Sequence, residues 1–365
     1  MFQLLLAIIY LAFISLGLPD SLLGSAWPVM YREFSVPVSY AGIISMVIAA
    51  GTIVSSLQCD RLTKKLGTGK VTALSVFITA AALFGFSASH SFIALCIWAV
   101  PYGLGAGCVG ASLGPYVMGY ALSGGESWNM GYRYIGILQI VLTMILLCSL
   151  PLWKKQGGAW EKEGGSQTDQ GGALSLAQII RIPGAKEVML TFFCYCAVEQ
   201  TAGLWASSYL VLHWEVGSGT AANFASMFYI GITAGRALGG FLTMKLNDKQ
   251  MIRLGQAVIM IGIMLLLLPI GKGTALMGLI AVGLGCAPIY PSIIHSTPEH
   301  FGADRSQAMI GVQMAAAYVG TCLMPPVFGL IANHINIVLY PVYLLLILTV
   351  MVLMHERLLR RAGKE

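Results

Sequence analysis

The chain has 365 residues, of which 57% are hydrophobic and only 10% charged, with a mean hydropathy of +0.79. No water-soluble domain hides that much apolar surface, so composition excludes the soluble classes and specifies an all-α, multi-pass membrane protein. The net charge of +6 does not argue for nucleic acid, because the basic residues fall in short loops between apolar runs, where they set topology.

The first apolar run, 3–28, is too long for a signal-peptide core and lacks a basic leading region and a small-residue cleavage site, so it reads as a retained span. It carries one carboxylate, Asp20, with Gly24 four residues on and Trp27 beyond it. An ionised group at mid-bilayer costs roughly 3 kcal/mol on insertion scales, so such a residue faces a bundle interior or a watery cavity. The pattern returns 179 residues later as Glu199 with Gly203 at +4 and Trp205 nearby. Burial disfavours the ionised form, which makes Asp20 and Glu199 candidate proton carriers.

Further runs follow at 38–57, 70–88, 92–124 and 133–152, then at 188–212, 220–243, 251–270, 274–296, 305–332 and 337–355. Residues 1–152 therefore form an N-terminal bundle, 188–359 a C-terminal bundle of six helices and 360–365 a tail. The stretch 153–187 is rich in Gly, Lys, Glu and Gln and reads as a linker, with a short interfacial helix over 174–182 that Pro183 stops. With the N-terminus inside, 17 of the 21 Lys and Arg residues fall inside, three outside (Arg32, Arg133, Lys272) and one, Arg236, within a span. That bias places both termini and the linker in the cytoplasm of a cell-membrane protein.

An internal repeat links the halves. Gly51 matches Gly231, Lys65 matches Lys245 and Gly103 matches Gly283 at an offset of 180; Leu113, Pro115 and Gly119 match Leu323, Pro325 and Gly329 at an offset of 210. The first half is thus 30 residues short between Gly105 and Pro115. Split in two, residues 91–124 give helices of about 16 residues, or roughly 24 Å against a hydrocarbon core of about 30 Å. A broken hairpin turning near Gly105–Gly110 keeps the basic cluster at Lys154, Lys155 and Lys162 inside, whereas a single crossing puts it outside; the charge bias favours the hairpin.

Two motifs and the repeat resemble the major facilitator superfamily and, within it, the fucose-permease-like sugar:proton symporters. The first motif is Asp60-Arg61 through Lys64-Lys65 and Gly67, after the second span; the second runs from Gly110 through Gly114-Pro115 to Gly119. Ser56 stands where the first motif usually has Gly, the basic residues are respaced, and the second motif ends in one Gly rather than two. The resemblance implies two pseudo-symmetric helical bundles, the N-terminal one truncated at spans four and five, and a coupling role for Asp20. The further acid that commonly follows the Gly-Leu-Gly of span four in that branch is absent, since Gly103-Leu-Gly105 runs on into Cys108 and Val109.

Physically, Asp60 and Arg61 can pair at a helix end that must open during turnover, or simply set topology. Gly110, Gly114 and Gly119 allow close helix approach and Pro115 allows bending, so all are gating candidates, though packing alone also accounts for them. Substrate-binding candidates are Trp27, Gln200, Trp205 and Tyr209, whose aromatic faces and amide suit a sugar, together with Arg236, Tyr290 and Gln313. Arg236 either snorkels or faces the cavity, and His295 is a weaker candidate. The eight cysteines have no paired-ligand spacing and read as small buried hydrophobes, so no metal or cofactor is expected. The expected function is proton-coupled transport of a small polar solute, a sugar first, by a monomer in the lipid bilayer; export of hydrophobic compounds and a non-transporting descendant of the fold are the alternatives. No nucleophile–base pair is visible, so an enzyme is not expected.

Overall fold

A computed structural model of the chain describes residues 21–66, 68–105, 113–163 and 176–362, and among these residues the structure is helical, without strands. Helices α1 (Leu22–Glu33), α2 (Tyr40–Leu66), α3 (Thr68–Ser87), α4 (Phe92–Gly105), α5 (Leu113–Ser123) and α6 (Trp128–Glu163) build the first bundle. The short α7 (Leu176–Arg181) leads into α8 (Ala185–Trp214), α9 (Ser218–Leu242), α10 (Asp248–Leu267), α11 (Lys272–Cys286), α12 (Ile289–Phe301), α13 (Ala303–His334) and α14 (Tyr340–Ala362). Six stretches are long and apolar enough to cross a bilayer: Lys70–Ser87, Trp128–Cys148, Asp248–Leu267, Lys272–Phe301, Ala308–His334 and Ile337–Arg361. The protein is a multi-pass membrane protein. The fourth of these stretches is two helices, α11 and α12, because Pro288 and Pro291 withhold backbone N–H groups where they meet.

Two boundaries differ from the hydropathy reading. Helix α6 continues through Glu163, past the expected linker start at 153, because Lys154, Lys155 and Gln156 are good helix formers that need not be apolar. Helix α14 likewise runs to Ala362 rather than 359, ending on Arg360 and Arg361, which suit the negative end of a helix. The interfacial helix expected over 174–182 is α7.

The repeat becomes a set of matched helix contacts. A Cβ on Gly51 would lie 3.0 Å from the Gly103 Cα, and one on Gly231 would lie 3.0 Å from the Leu284 backbone nitrogen, beside Gly283. On Gly103 it would strike the Ile48 carbonyl; on Gly283, the Phe228 carbonyl, at the same offset of 180 in sequence. Glycine at both members of each pair lets α2 approach α4 and α9 approach α11 backbone to backbone.

The bundles meet toward one end of the molecule. Gly24 of α1 rests on α8, where a Cβ would come within 2.7 Å of the Gly203 carbonyl oxygen. A Cβ on Gly42 of α2 would come within 2.6 Å of the Pro326 Cα of α13, and one on Gly119 of α5 within 2.9 Å of the Asn223 backbone nitrogen of α9. At the same end Ser123 packs on Gly219, and Trp128 donates its indole N–H to the Glu33 carboxylate. This is the closed end.

Helix α4 starts from that end and α5 finishes there. The Ser87 hydroxyl donates to the Asn129 carbonyl at 3.1 Å and accepts from Arg133 Nε at 2.8 Å, so the end of α3 and the start of α6 are neighbours. Helix α4 follows the first after a four-residue turn and α5 precedes the second by another, so α4 and α5 run antiparallel. The described parts of α4 and α5, 14 and 11 residues, cover about 21 and 16 Å. Gly105 of α4 lies beside Ser75 and Thr79, midway along α3. Among the described residues α3 and α6 also share a small separate core of Ala73, Val76, Leu142 and Leu146.

Candidate functional site

A cavity of about 1180 Å³ lies between the bundles and widens away from the closed end. From the N-terminal bundle it is lined by Leu23, Gly24, Ser45, Ile48, Ala49 and Thr52. Thr52 Oγ1 is already engaged with the Ile48 and Gly103 carbonyls at 3.0 and 3.2 Å, so this wall is nearly apolar. Among the described residues every charged lining group comes from the C-terminal bundle: Glu199, Arg236, Asp248 and Glu299, with His295 beside them.

Glu199 stands at mid-depth on α8, half-buried, one turn past Tyr195 on the same face. Tyr195 and Arg236, from α9, are the polar groups that bear on its carboxylate. Gln200 follows Glu199 onto the cavity wall, and Tyr229, Tyr290 and Tyr318 close the ring. Tyr290 packs its ring 5.2 Å from that of Phe192, and its hydroxyl meets Met314 Sδ at 3.5 Å. The proline pair around it breaks the helix at Ala287–Pro288, on the cavity wall itself.

Of the residues singled out in the sequence, Glu199, Gln200, Arg236 and Tyr290 meet in this cavity. Trp27, Trp205, Tyr209 and Gln313 do not line it, and this corrects the reading of them as substrate contacts. Trp27 is fully buried and its indole donates to the Val38 carbonyl at 2.7 Å, bracing α1 against the α1–α2 turn near the closed end. Trp205 is fully buried against Phe328 and Gly329, with its indole donating to the Pro325 carbonyl at 2.9 Å. Tyr209 is enclosed by Tyr340 and donates to the Leu266 carbonyl at 3.2 Å. Gln313 is paired with Thr297 inside the C-terminal bundle at 3.1 Å. At about 100° per residue, Trp205 lies about 240° round α8 from Glu199, outside the arc that holds Tyr195, Glu199, Gln200 and Gly203, while Tyr209 is set apart from Glu199 by ten residues along the helix, about 15 Å.

Gly119 packs against α9, so among the gating candidates it is a point of contact between bundles. Asp20 and Gly110 lie outside the described residues. Asp60 and Arg61 are on α2, and Gly114 and Pro115 on α5, but their surroundings lie outside what is described. The sequence reading omitted Tyr195, Tyr229, Tyr318 and Asp248; Tyr195, four residues before an in-span acid, was the one with a visible signal.

The open end of the C-terminal bundle is laced by ion pairs. Arg253 grips Glu356 with two bonds of 2.7 Å, Arg361 reaches the nearly buried Glu187 at 2.9 Å, Lys249 faces Glu299 at 3.5 Å, and His295 Nδ1 meets Asp248 Oδ2 at 2.6 Å. Exposed pairs of this kind contribute about 0–1 kcal/mol each, so their role is to hold helix ends in register.

The family model described as Major Facilitator Superfamily matches residues 106–325 and 188–364. No curated protein matches the chain in sequence. Among solved structures the fold is similar to nucleoside transporter NupG, with a TM-score of 0.74 at 14% identity over 98% of this chain and 99% of that one. It is similar to peptide transporter POT, with 0.73 at 11% over 99% and 95%, and to the E. coli fucose:proton symporter FucP, with 0.60 at 16% over 96% and 97%. At these identities the likeness is one of fold.

Proposed function

The chain belongs to the Major Facilitator Superfamily, and from that premise we propose that it is a proton-coupled secondary transporter of a small polar solute, a sugar first, working by alternating access. One observation carries the reading: Glu199, with Arg236 in electrostatic reach, lines a cavity between two pseudo-symmetric bundles that meet toward one end. Tyrosine faces beside an amide and a carboxylate suit a ring with apolar C–H faces and polar hydroxyls. The fucose-permease-like branch is part of this proposal and rests on the sequence motifs, because the fold is no more similar to FucP than to the nucleoside or peptide transporter.

In this reading both termini and the linker are cytoplasmic, so the cavity opens inward. A Lys154→Cys variant is expected to react with a membrane-impermeant maleimide only after the cells are broken; labelling of intact cells from outside would reverse the orientation.

Reconstituted protein under an inside-alkaline gradient is expected to accumulate at least one of radiolabelled fucose, glucose, galactose or uridine, and to lose the accumulation when a protonophore is added. Flux of none of these above protein-free vesicles would sink the transport reading. It would instead favour a membrane protein that keeps the fold without turnover.

A further inference from the structure

The reading above places one proton carrier, Glu199, at mid-depth, and leaves open how protons reach it from the open end. Along the lining toward that end stands a second acid–base pair. Asp248 begins α10 and His295 lies two turns into α12, with Nδ1 and Oδ2 2.6 Å apart. The two side chains differ sharply in exposure: His295 is 84% accessible and Asp248 only 17%. The carboxylate is tucked against the helix end while the imidazole stands in the cavity.

This arrangement does not behave as a gate. Both residues belong to the C-terminal bundle, and α10 packs directly on α12, so rocking of the bundles carries the pair along intact. A gate needs a contact that one state makes and the other breaks. What the pair does instead is fix a tautomer. A carboxylate at Nδ1 holds the proton on that nitrogen, leaving Nε2 as the site that accepts and releases protons, and it stabilises the imidazolium when both nitrogens are protonated.

The titratable and charged groups that face the imidazole are Asp248 and Lys249 from α10, Glu299 one turn on in α12, and across the cavity Glu199 of α8 and Arg236 of α9. Helix α13 lines the cavity with Tyr318 and no charged group among the described residues. The charged groups that line the cavity beside His295 are the carboxylates of Asp248 and Glu299, the second of them facing Lys249 at 3.5 Å, so the immediate lining favours a cation at His295.

We propose that His295, positioned by Asp248, is the proton-exchange station of the cavity, passing protons between bulk water at the open end and the water that reaches Glu199. The step balances as proton transfer alone: Nε2 takes a proton from a hydronium ion at the open end, leaving water, the Asp248 carboxylate balances the charge of the imidazolium, and Nε2 gives the proton to a cavity water, re-forming hydronium on the side of Glu199. No substrate contact is required. This inference rests on the proton-coupled reading, and its test separates the two.

The probes are radiolabelled fucose, glucose, galactose and uridine in proteoliposomes, with His295→Gln and Asp248→Asn compared with the parent protein. Gradient-driven uptake is expected to fall about tenfold in His295→Gln and less in Asp248→Asn, with KM unchanged and exchange at equal pH on both sides kept within about twofold. Imidazole added to the buffer on the open side is expected to restore His295→Gln, as a merely structural role would not. Equal loss of uptake and exchange, no loss of either, or no rescue by imidazole would overturn the station. If uptake by the parent protein ignores the imposed gradient, the proton-coupled reading itself fails and the inference falls with it. If the parent is gradient-driven and His295→Gln is indistinguishable from it, only the inference fails.

Discussion

Glu199→Gln is expected to abolish gradient-driven accumulation, by about a hundredfold or more, while leaving exchange of substrate across the membrane largely intact. Glutamine keeps the size of the side chain and its capacity to accept from the Tyr195 hydroxyl, so packing at mid-depth is retained. What it cannot do is lose and regain a proton as the cavity changes sides. Exchange returns the loaded carrier without net proton movement and so does not need that step. Arg236 sharpens the contrast, since in the parent protein it is balanced by a carboxylate only while Glu199 is ionised. Uptake and exchange measured on the same vesicles check this; a parallel loss of both would make Glu199 a substrate contact or a structural group rather than a carrier.

Trp205→Ala costs about 3–5 kcal/mol of stability, the range for emptying a large aromatic site in a core. The side chain is fully buried, its ring meets Phe328 edge-on at 5.6 Å between centroids, and Gly329 presses on it from α13. The indole also donates to the Pro325 carbonyl at 2.9 Å. Trp205→Phe keeps an aromatic ring but loses that bond, which alone costs about 1 kcal/mol. Thermal melts in detergent are expected to show both steps in that order, with the KM of the phenylalanine variant unchanged. A raised KM with an unchanged melt would return Trp205 to the substrate site.

Those two residues mark where sequence reasoning succeeds and where it stops. Glu199 was legible because a carboxylate in an apolar run has few places to go, and its repeat at Asp20 doubled the signal. The repeat also fixed helix contacts in advance: glycines matched at an offset of 180 proved to be the positions where α2 meets α4 and α9 meets α11. Trp205 carried the opposite lesson. Nearness in sequence to an acid says nothing about which face of a helix a side chain shares, and six residues carry it to the far side. A helix buried all round has no polar stripe to orient it, so only the angular offset from Glu199 separates wall from core. Trp27 is likewise away from the cavity wall, close to the end where the bundles meet, with its indole donating to the Val38 carbonyl. Asp248 and His295 come from different helices with 46 residues between them in sequence, and no local pattern joins them.

The Gly24–Gly203 contact adds something that neither acid shows alone. Gly203 follows Glu199 by four residues, on the same face one turn along. The α1 and α8 helices therefore touch backbone to backbone just beyond Glu199, toward the closed end. In the proposed alternating access that contact would serve as a pivot with Glu199 on its open side.

The most direct test is proton movement itself. Vesicles containing the purified protein and a lumenal pH dye, at equal pH on both sides, receive fucose, glucose, galactose or uridine from outside. The account predicts that at least one of them acidifies the lumen, that the signal needs no imposed gradient, and that Glu199→Gln abolishes it. Substrate entry without any change in lumenal pH would contradict proton coupling and leave the protein a carrier of a different kind.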